Sequence, residues 1–263
     1  MLASLSGHHR HIQAADKGST GSSKRFTFMA IRYGEETMTI AFVGMPDEGL
    51  AFLEDLEERN TKEFFDAHRA LFKEQVQAPF AALVEAAAAR LRGDVPDLGT
   101  PKLFRIYRDL RFSKDKTPYK TSMSASVPSR TPEESDGPGV GTGFYVNVGP
   151  AGLYTASGLY HADRPNLQRV RAAIAEEATG TELEAILGRA AGKGLEPWLD
   201  PLQRMPTPWP ADHPRAHLLK GRSLVLNRQH ERAPWLQTAE LLDRLLADWK
   251  AMIPFNRWLE RVP

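Results

Sequence analysis

Between positions 105 and 120 the chain reads Arg105-Ile-Tyr107-Arg108-Asp109-Leu-Arg111-Phe112-Ser-Lys114-Asp115-Lys116-Thr-Pro118-Tyr119-Lys120, six cations and two carboxylates in sixteen residues, with aromatic rings between them. Three arginines at a spacing of three supply planar guanidinium forks that suit phosphate or carboxylate. The lysines add flexible point charges. Asp109 and Asp115 can hold the arginines in position or receive a proton, and Tyr107, Phe112 and Tyr119 can stack on a base or a sugar. Arg105, Arg108, Asp109, Arg111, Asp115, Lys116, Tyr119 and Lys120 are therefore the candidate ligand-binding residues, and a phosphorylated ligand is the most natural one. A competing reading makes the segment architectural, with Arg–Asp pairs pinning an irregular loop, Phe112 and Pro118 tucked into the core, and Lys114 and Lys116 solvated.

The charge is local. Residues 102–130 hold eight cations against two carboxylates, a net +6, in a chain whose total is +1, so the remainder carries −5. No global field draws the chain to nucleic acid or to a membrane. The composition, 41% hydrophobic and 25% charged over 263 residues, is that of a globular protein. Without cysteine there is no disulfide, no thiolate metal site and no thiol catalysis, which fits a reducing compartment. No apolar run approaches the ~20 residues of a membrane span, and no apolar core of a signal peptide precedes the domain. The cytoplasm is the expected location.

Other motifs are weaker. Gly137-Pro-Gly139-Val-Gly141-Thr-Gly143 has the glycines of a phosphate loop, but a strand follows where a helix is needed, so it reads as the approach to a hairpin. His161, in Gly158-Leu-Tyr-His161-Ala-Asp163, sits at a strand-to-helix junction and is a remote candidate for a general base. His213, His217 and His230 lack metal-ligand spacing, and no G-x-S-x-G elbow occurs. If the protein is an enzyme, the arginines hold an anionic substrate while Asp109, Asp115, Tyr119 or His161 moves protons. If it binds only, the partner is a phosphorylated small molecule or a nucleotide, with nucleic acid less favoured. An acidic protein partner is a third possibility. No cofactor and no metal are expected.

The elements that must position these residues follow from periodicity. Residues 1–40, with His8, His9, His11 and the Ser/Gly-rich stretch from Lys17 to Lys24, read as a disordered extension, with Met29 or Met38 as candidate starts. Leu50, Leu53 and Leu56 mark a helix. Asn60 and Glu63 form a capping box ahead of a face built from Phe64, His68, Leu71, Phe72 and Val76. His68 reads as a satisfied, partly buried histidine. Pro79 implies a kink or restart, and Phe80, Leu83, Val84, Ala87, Ala88 and Leu91 form the next stripe. Phe104 and Ile106 suggest a strand leading into the cationic segment, and Met123, Ala125 and Val127 a second. Phe144–Val148 and Leu153–Ser157, joined by Gly149-Pro-Ala-Gly152, predict a hairpin.

Helices are expected over Asn166–Ala178, capped by Asp163, and over Thr181–Ala190 with a Thr181/Glu184 capping box. The stretch 192–214 holds six prolines with Trp198 and Trp209 and reads as an irregular segment packed on a core. Leu224–Leu226 suggests an edge strand. Leu241, Leu242, Leu245, Leu246 and Trp249 mark a C-terminal helix stopped by Pro254. The expected fold is α+β: a mainly antiparallel sheet with a central hairpin, packed against N-terminal and C-terminal helices, in a single domain over 42–263.

The pattern R-x-x-R-D-x-R-F, carried by Arg105, Arg108, Asp109, Arg111 and Phe112, followed by D-K-x-P-Y-K from Asp115 to Lys120, resembles the signature of the DUF2461 family, also called TIGR02453, a group of bacterial proteins. The resemblance covers nearly all of residues 42–263 and is densest at the motif. It implies that family's fold and a site at the motif, and it implies no activity. The family tends to show a Gly-aromatic-x-Pro arrangement near His161, where this chain has Ala162.

Overall fold

The pleat of β4 (Gly152–Leu159) divides the sheet into two faces. Leu153, Thr155, Ser157 and Leu159 are buried on one, while Tyr154 on the other is half-buried. The computed structural model describes residues 42–111, 115–130 and 141–262. The expectations for residues 1–40, for 137–140 and for Phe112, Ser113 and Lys114 lie outside them.

The first helices are α1 (Asp47–Glu58), α2 (Lys62–Ala67), α3 (Arg69–Leu71) and α4 (Ala78–Leu91), with a π-helical stretch, Phe72–Gln77, leading into α4. That stretch ends just before Pro79, so the restart falls where the missing N–H requires it. The strands β1 (Lys102–Leu103), β2 (Met123–Pro128), β3 (Gly143–Gly149), β4, β5 (Glu196–Trp198) and β6 (Leu224–Glu231) form an antiparallel sheet in the order β1-β2-β3-β4-β6-β5. The fold is α+β. The β3–β4 hairpin closes at the Gly149↔Gly152 pair. Gly152 has φ +114°, and a Cβ there would lie 2.1 Å from the His230 carbonyl oxygen, so glycine is required. The remaining helices are α5 (Arg164–Ala175), α6 (Glu177–Ala191), α7 (Ala216–Leu219) and α8 (Glu240–Glu260).

Helix α8 crosses the buried face. Trp249, Phe255, Trp258 and Leu259 are buried, and Trp249 packs on Phe144 at 5.4 Å between ring centroids while its Nε1 donates to the Tyr145 carbonyl. Two polar α8 side chains are buried with them. Asp248 accepts from Thr155 Oγ1 at 2.8 Å and lies 2.6 Å from His230 Nε2, and Asn256 accepts from Ser157 Oγ at 2.8 Å. Burial of these groups is tolerated because each has partners.

Several expected boundaries move. Pro254 does not stop α8: it lies on the exposed side, and burial of Ile253, Phe255 and Trp258 opposite holds the last turns against one lost intrahelical bond. Leu224–Leu226 is no edge strand: β6 runs between β4 and β5, with β5 as the edge. Helix α6 begins at Glu177, because Glu176 caps it by accepting from Ala178 N and Thr179 N. Thr181 and Glu184 therefore lie inside the helix, where they bind the buried Arg215. Asp163 does cap α5, accepting from Asn166 N at 2.8 Å. Regular strand ends at Leu103, before Phe104 and Ile106. Among the described residues no helix is long and apolar enough to cross a membrane.

Trp249→Ala removes the largest side chain in this core and should cost about 3–5 kcal/mol. Urea unfolding measures it. A cost below about 1 kcal/mol would mean that the α8 face is not the core described here.

Candidate functional site: a pinned cationic ribbon

Residues 106–108 and 118–120 run antiparallel. Arg108 N donates to the Pro118 carbonyl at 2.9 Å, Lys120 N donates to the Ile106 carbonyl at 2.8 Å, and Tyr107 pairs with Tyr119 between them. The ribbon is tied to the N-terminal helices by Asn60. Its Nδ2 donates to the Tyr119 carbonyl and its Oδ1 accepts from Tyr119 N, both at 3.0 Å, so one carboxamide stands in for a strand's peptide group. Asn60 is thus not the cap of α2; Thr61 is, accepting from Phe64 N at 3.2 Å. The Tyr119 ring is buried flat on Phe65, centroids 4.1 Å apart, and burial pushes its hydroxyl pKa up.

Most charged groups of the motif serve the ribbon itself. The half-buried Arg108 donates to the Tyr119 carbonyl at 3.3 Å and pairs with Asp115 at 3.2 Å, while its Nε is buried and has no hydrogen-bond partner among the described residues. Asp115 Oδ1 accepts from Thr117 N and Thr117 Oγ1, at 2.9 and 2.8 Å. These bonds, the backbone one foremost, hold its pKa below the usual carboxylate range, with Arg108 adding to them. Asp109 takes a fork from Arg111, with Nη2 at 2.7 Å and Nε at 3.0 Å, and also accepts from Arg111 N at 3.1 Å. That fork, helped by the backbone bond, lowers the Asp109 pKa to about 2. Lys116 Nζ donates to the Leu110 carbonyl at 2.9 Å. Carboxylates held this acidic are weak general bases at neutral pH, and so is a tyrosine with a raised pKa.

Arg105 and Lys120 are used differently. Arg105 is exposed, and among the described residues it has no carboxylate within ion-pair distance. Lys120 Nζ sits 5.7 Å from the centre of the Phe104 ring, which in turn lies 6.3 Å from Tyr145 on β3. Lys102 on β1 joins them: it pairs with Ser126, which pairs with Tyr145, so its side chain shares their face of the sheet. Sequence reasoning counted Lys102 in the charge of the segment and passed over Asn60, Phe65, Phe104 and Tyr145 as parts of the site. The alternation of Lys102 and Phe104 around Leu103 was the signal that could have found two of them.

His161 belongs to a different neighbourhood. It has φ +48°, its N donates to Ser223 Oγ at 3.2 Å, and its ring stands edge-on to Tyr160 at 4.1 Å. His68 is satisfied: its Nδ1 donates to the Phe64 carbonyl at 2.8 Å. A cleft of about 610 Å³ lies among Asp97, Ser129, Arg130, Glu182, Arg257 and Glu260, and none of the eight predicted residues lines it. Among the described residues no group of three or more His, Cys, Asp or Glu is arranged to hold a metal ion.

In comparisons with known proteins, a family model described as a conserved hypothetical protein, DUF2461, matches residues 48–258. No curated protein and no solved structure matches the chain.

Two measurements check this geometry. Asn60→Ala takes the partner from the Tyr119 N–H and leaves its carbonyl to Arg108, and should cost about 1–3 kcal/mol by urea unfolding; a neutral result would mean that the ribbon is held elsewhere. The Asp109 carboxyl should titrate by NMR near pH 2, and in Arg111→Ala it should return towards 3.8. Because the folded-state pKa is the lower one, the contribution of this pair is complete above the ordinary carboxylate range and is lost as pH falls through about 2. An unshifted Asp109 would contradict the fork.

Proposed function

The chain belongs to the DUF2461 family, and we propose that it is an anion-binding protein whose ligand carries phosphate and is contacted by Lys102, Arg105 and Lys120. The observation that carries this reading is the division of labour within one +6 segment. Arg108, Asp115, Asp109 and Lys116 are engaged in holding the ribbon. Lys102, Arg105 and Lys120 have no ion-pair partner among the described residues; Lys120 lies by the Phe104 ring, Lys102 shares its face of the sheet, and Arg105 follows Phe104 in the chain. Cations gathered in a chain of total charge +1 favour an anion from solution, and Asp109, whose charge acts on Arg105, is already taken by the Arg111 fork. A phosphorylated small molecule or nucleotide suits them, with the Phe104 ring beside the charge to take a base or sugar.

The test is thermal unfolding with pyrophosphate or ATP. A ligand at a hundredfold excess over its Kd stabilises by about 2.7 kcal/mol, a rise of roughly 5–10 °C for a domain of this size. Lys102→Ala, Arg105→Ala and Lys120→Ala together should abolish the rise while leaving a folded protein, since among the described residues none of the three makes an ion pair. A rise that survives the triple substitution puts the site elsewhere, and no rise in the wild type removes the anion reading.

A further inference from the structure

One face of the sheet carries aromatic rings, and among the described residues its polar side chains bond within the sheet and its turns. Thr155 and Ser157 point to α8, so Tyr154 and Ala156 point the other way, while Gly158, at φ +126°, would turn a Cβ onto Phe255 of α8. The register extends that face in rows. Lys102, Ser126, Tyr145, Ala156, Asn227 and Glu196 align across the strands, and beside them Gly158, Val225 and Trp198 form a second row. The hydrogen bonds of Asn147, Asn227 and Gln229 end on Ser122, on the Glu196 carbonyl, and on the carbonyls of Ala151 and His230, all within the sheet and its turns.

The rings are near neighbours. Phe104 lies 6.3 Å from Tyr145, and Tyr145 lies 6.1 Å from Tyr154. Burial and then the nearby Tyr145 and Tyr160 hydroxyls raise the Tyr154 pKa. At the far end Tyr160 and Trp198 stack at 5.7 Å, 23° from parallel, with 67% and 40% of their surfaces exposed. Two large rings held open in parallel on a protein surface are a platform for another flat group. Between the two ring clusters lie the buried Ala156 and the side-chain-free Gly158.

We propose that this face binds single-stranded nucleic acid, its bases stacked on Phe104, Tyr145, Tyr154, Tyr160 and Trp198. The inference rests on the anion reading and gives its ligand a class: the phosphates lie at the β1 end, on Lys102, Arg105 and Lys120. The rings span β1 to β5, about 24 Å at the usual strand spacing, which exceeds one nucleotide and suits a short strand. Unpaired bases are required, because a duplex hides the faces that would stack. Glu196, at the opposite end of the Lys102 row, disfavours phosphate there and confines the charged contacts to β1. Binding should therefore combine a small salt dependence with a large contribution from stacking.

The experiment is fluorescence anisotropy of the full chain with a labelled twelve-nucleotide oligothymidylate and with a duplex of equal length. The single strand should bind at least about tenfold more tightly. Tyr160→Ala with Trp198→Ala should weaken binding about tenfold or more without changing the slope of log K against log salt. Lys102→Ala with Lys120→Ala should reduce that slope by about 1.4, two phosphates at ~0.7 each. Folding of both variants is checked by their thermal midpoints. If pyrophosphate stabilises the protein but no oligonucleotide binds, the stacking inference fails and the anion reading stands. If neither acts, both fail. Equal binding of the duplex, or indifference to the loss of Tyr160 and Trp198, overturns the inference. So does displacement of the strand by polyglutamate at equal charge concentration, which would mark the face as a site for an acidic polypeptide.

Discussion

Two hydrogen bonds of 3.0 Å, from one side chain to one peptide, fix what the cationic segment can present. Asn60 offers a donor and an acceptor in the geometry of a backbone amide, and Tyr119 uses both. With the Tyr119 peptide held and its ring laid on Phe65, strand 118–120 has a fixed position, and 106–108 pairs against it. Arg108 then reaches the Tyr119 carbonyl and Asp115 together, closing the loop between the two strands. An arginine in this position is a cross-brace. Lys102, Arg105 and Lys120 lie outside the brace.

The second constraint is the sidedness of the sheet. Polar α8 residues usually face water, yet Asp248 and Asn256 are buried against β4 because Thr155 and Ser157 satisfy them there. Those bonds orient β4, and the register carries the orientation to every other strand. The consequence is that tyrosines at 145 and 154 and the Tyr160–Trp198 pair collect on the side away from α8. A core arrangement and a surface property thus share one cause.

Local features were legible in the sequence. The hairpin follows from its glycines, the α5 cap from Asp163, and the buried face of α8 from the leucine stripe around Trp249. The cationic segment was also conspicuous, but its division into braces and free charges was not. Arg108 and Arg105 look alike in a sequence; only a partner across the ribbon separates them. The role of Asn60 depends on a peptide 59 positions away, and its neighbour Thr61 competes for the same capping signal. Pro254 and β6 were misread for a related reason. A local rule about proline or about short apolar runs yields to tertiary burial, which no window of a few residues contains.

We propose that Arg108 braces while Lys102, Arg105 and Lys120 contact the ligand. Proton–nitrogen NMR of the labelled protein during a pyrophosphate titration observes both groups at once, because backbone amides and arginine Nε–H groups each give a signal. The account predicts that the amides around Lys102, Arg105 and Lys120 and the Arg105 Nε–H move together, with the Arg108 Nε–H unchanged. Movement of the Arg108 Nε–H while Lys102 and Arg105 stay still would contradict it.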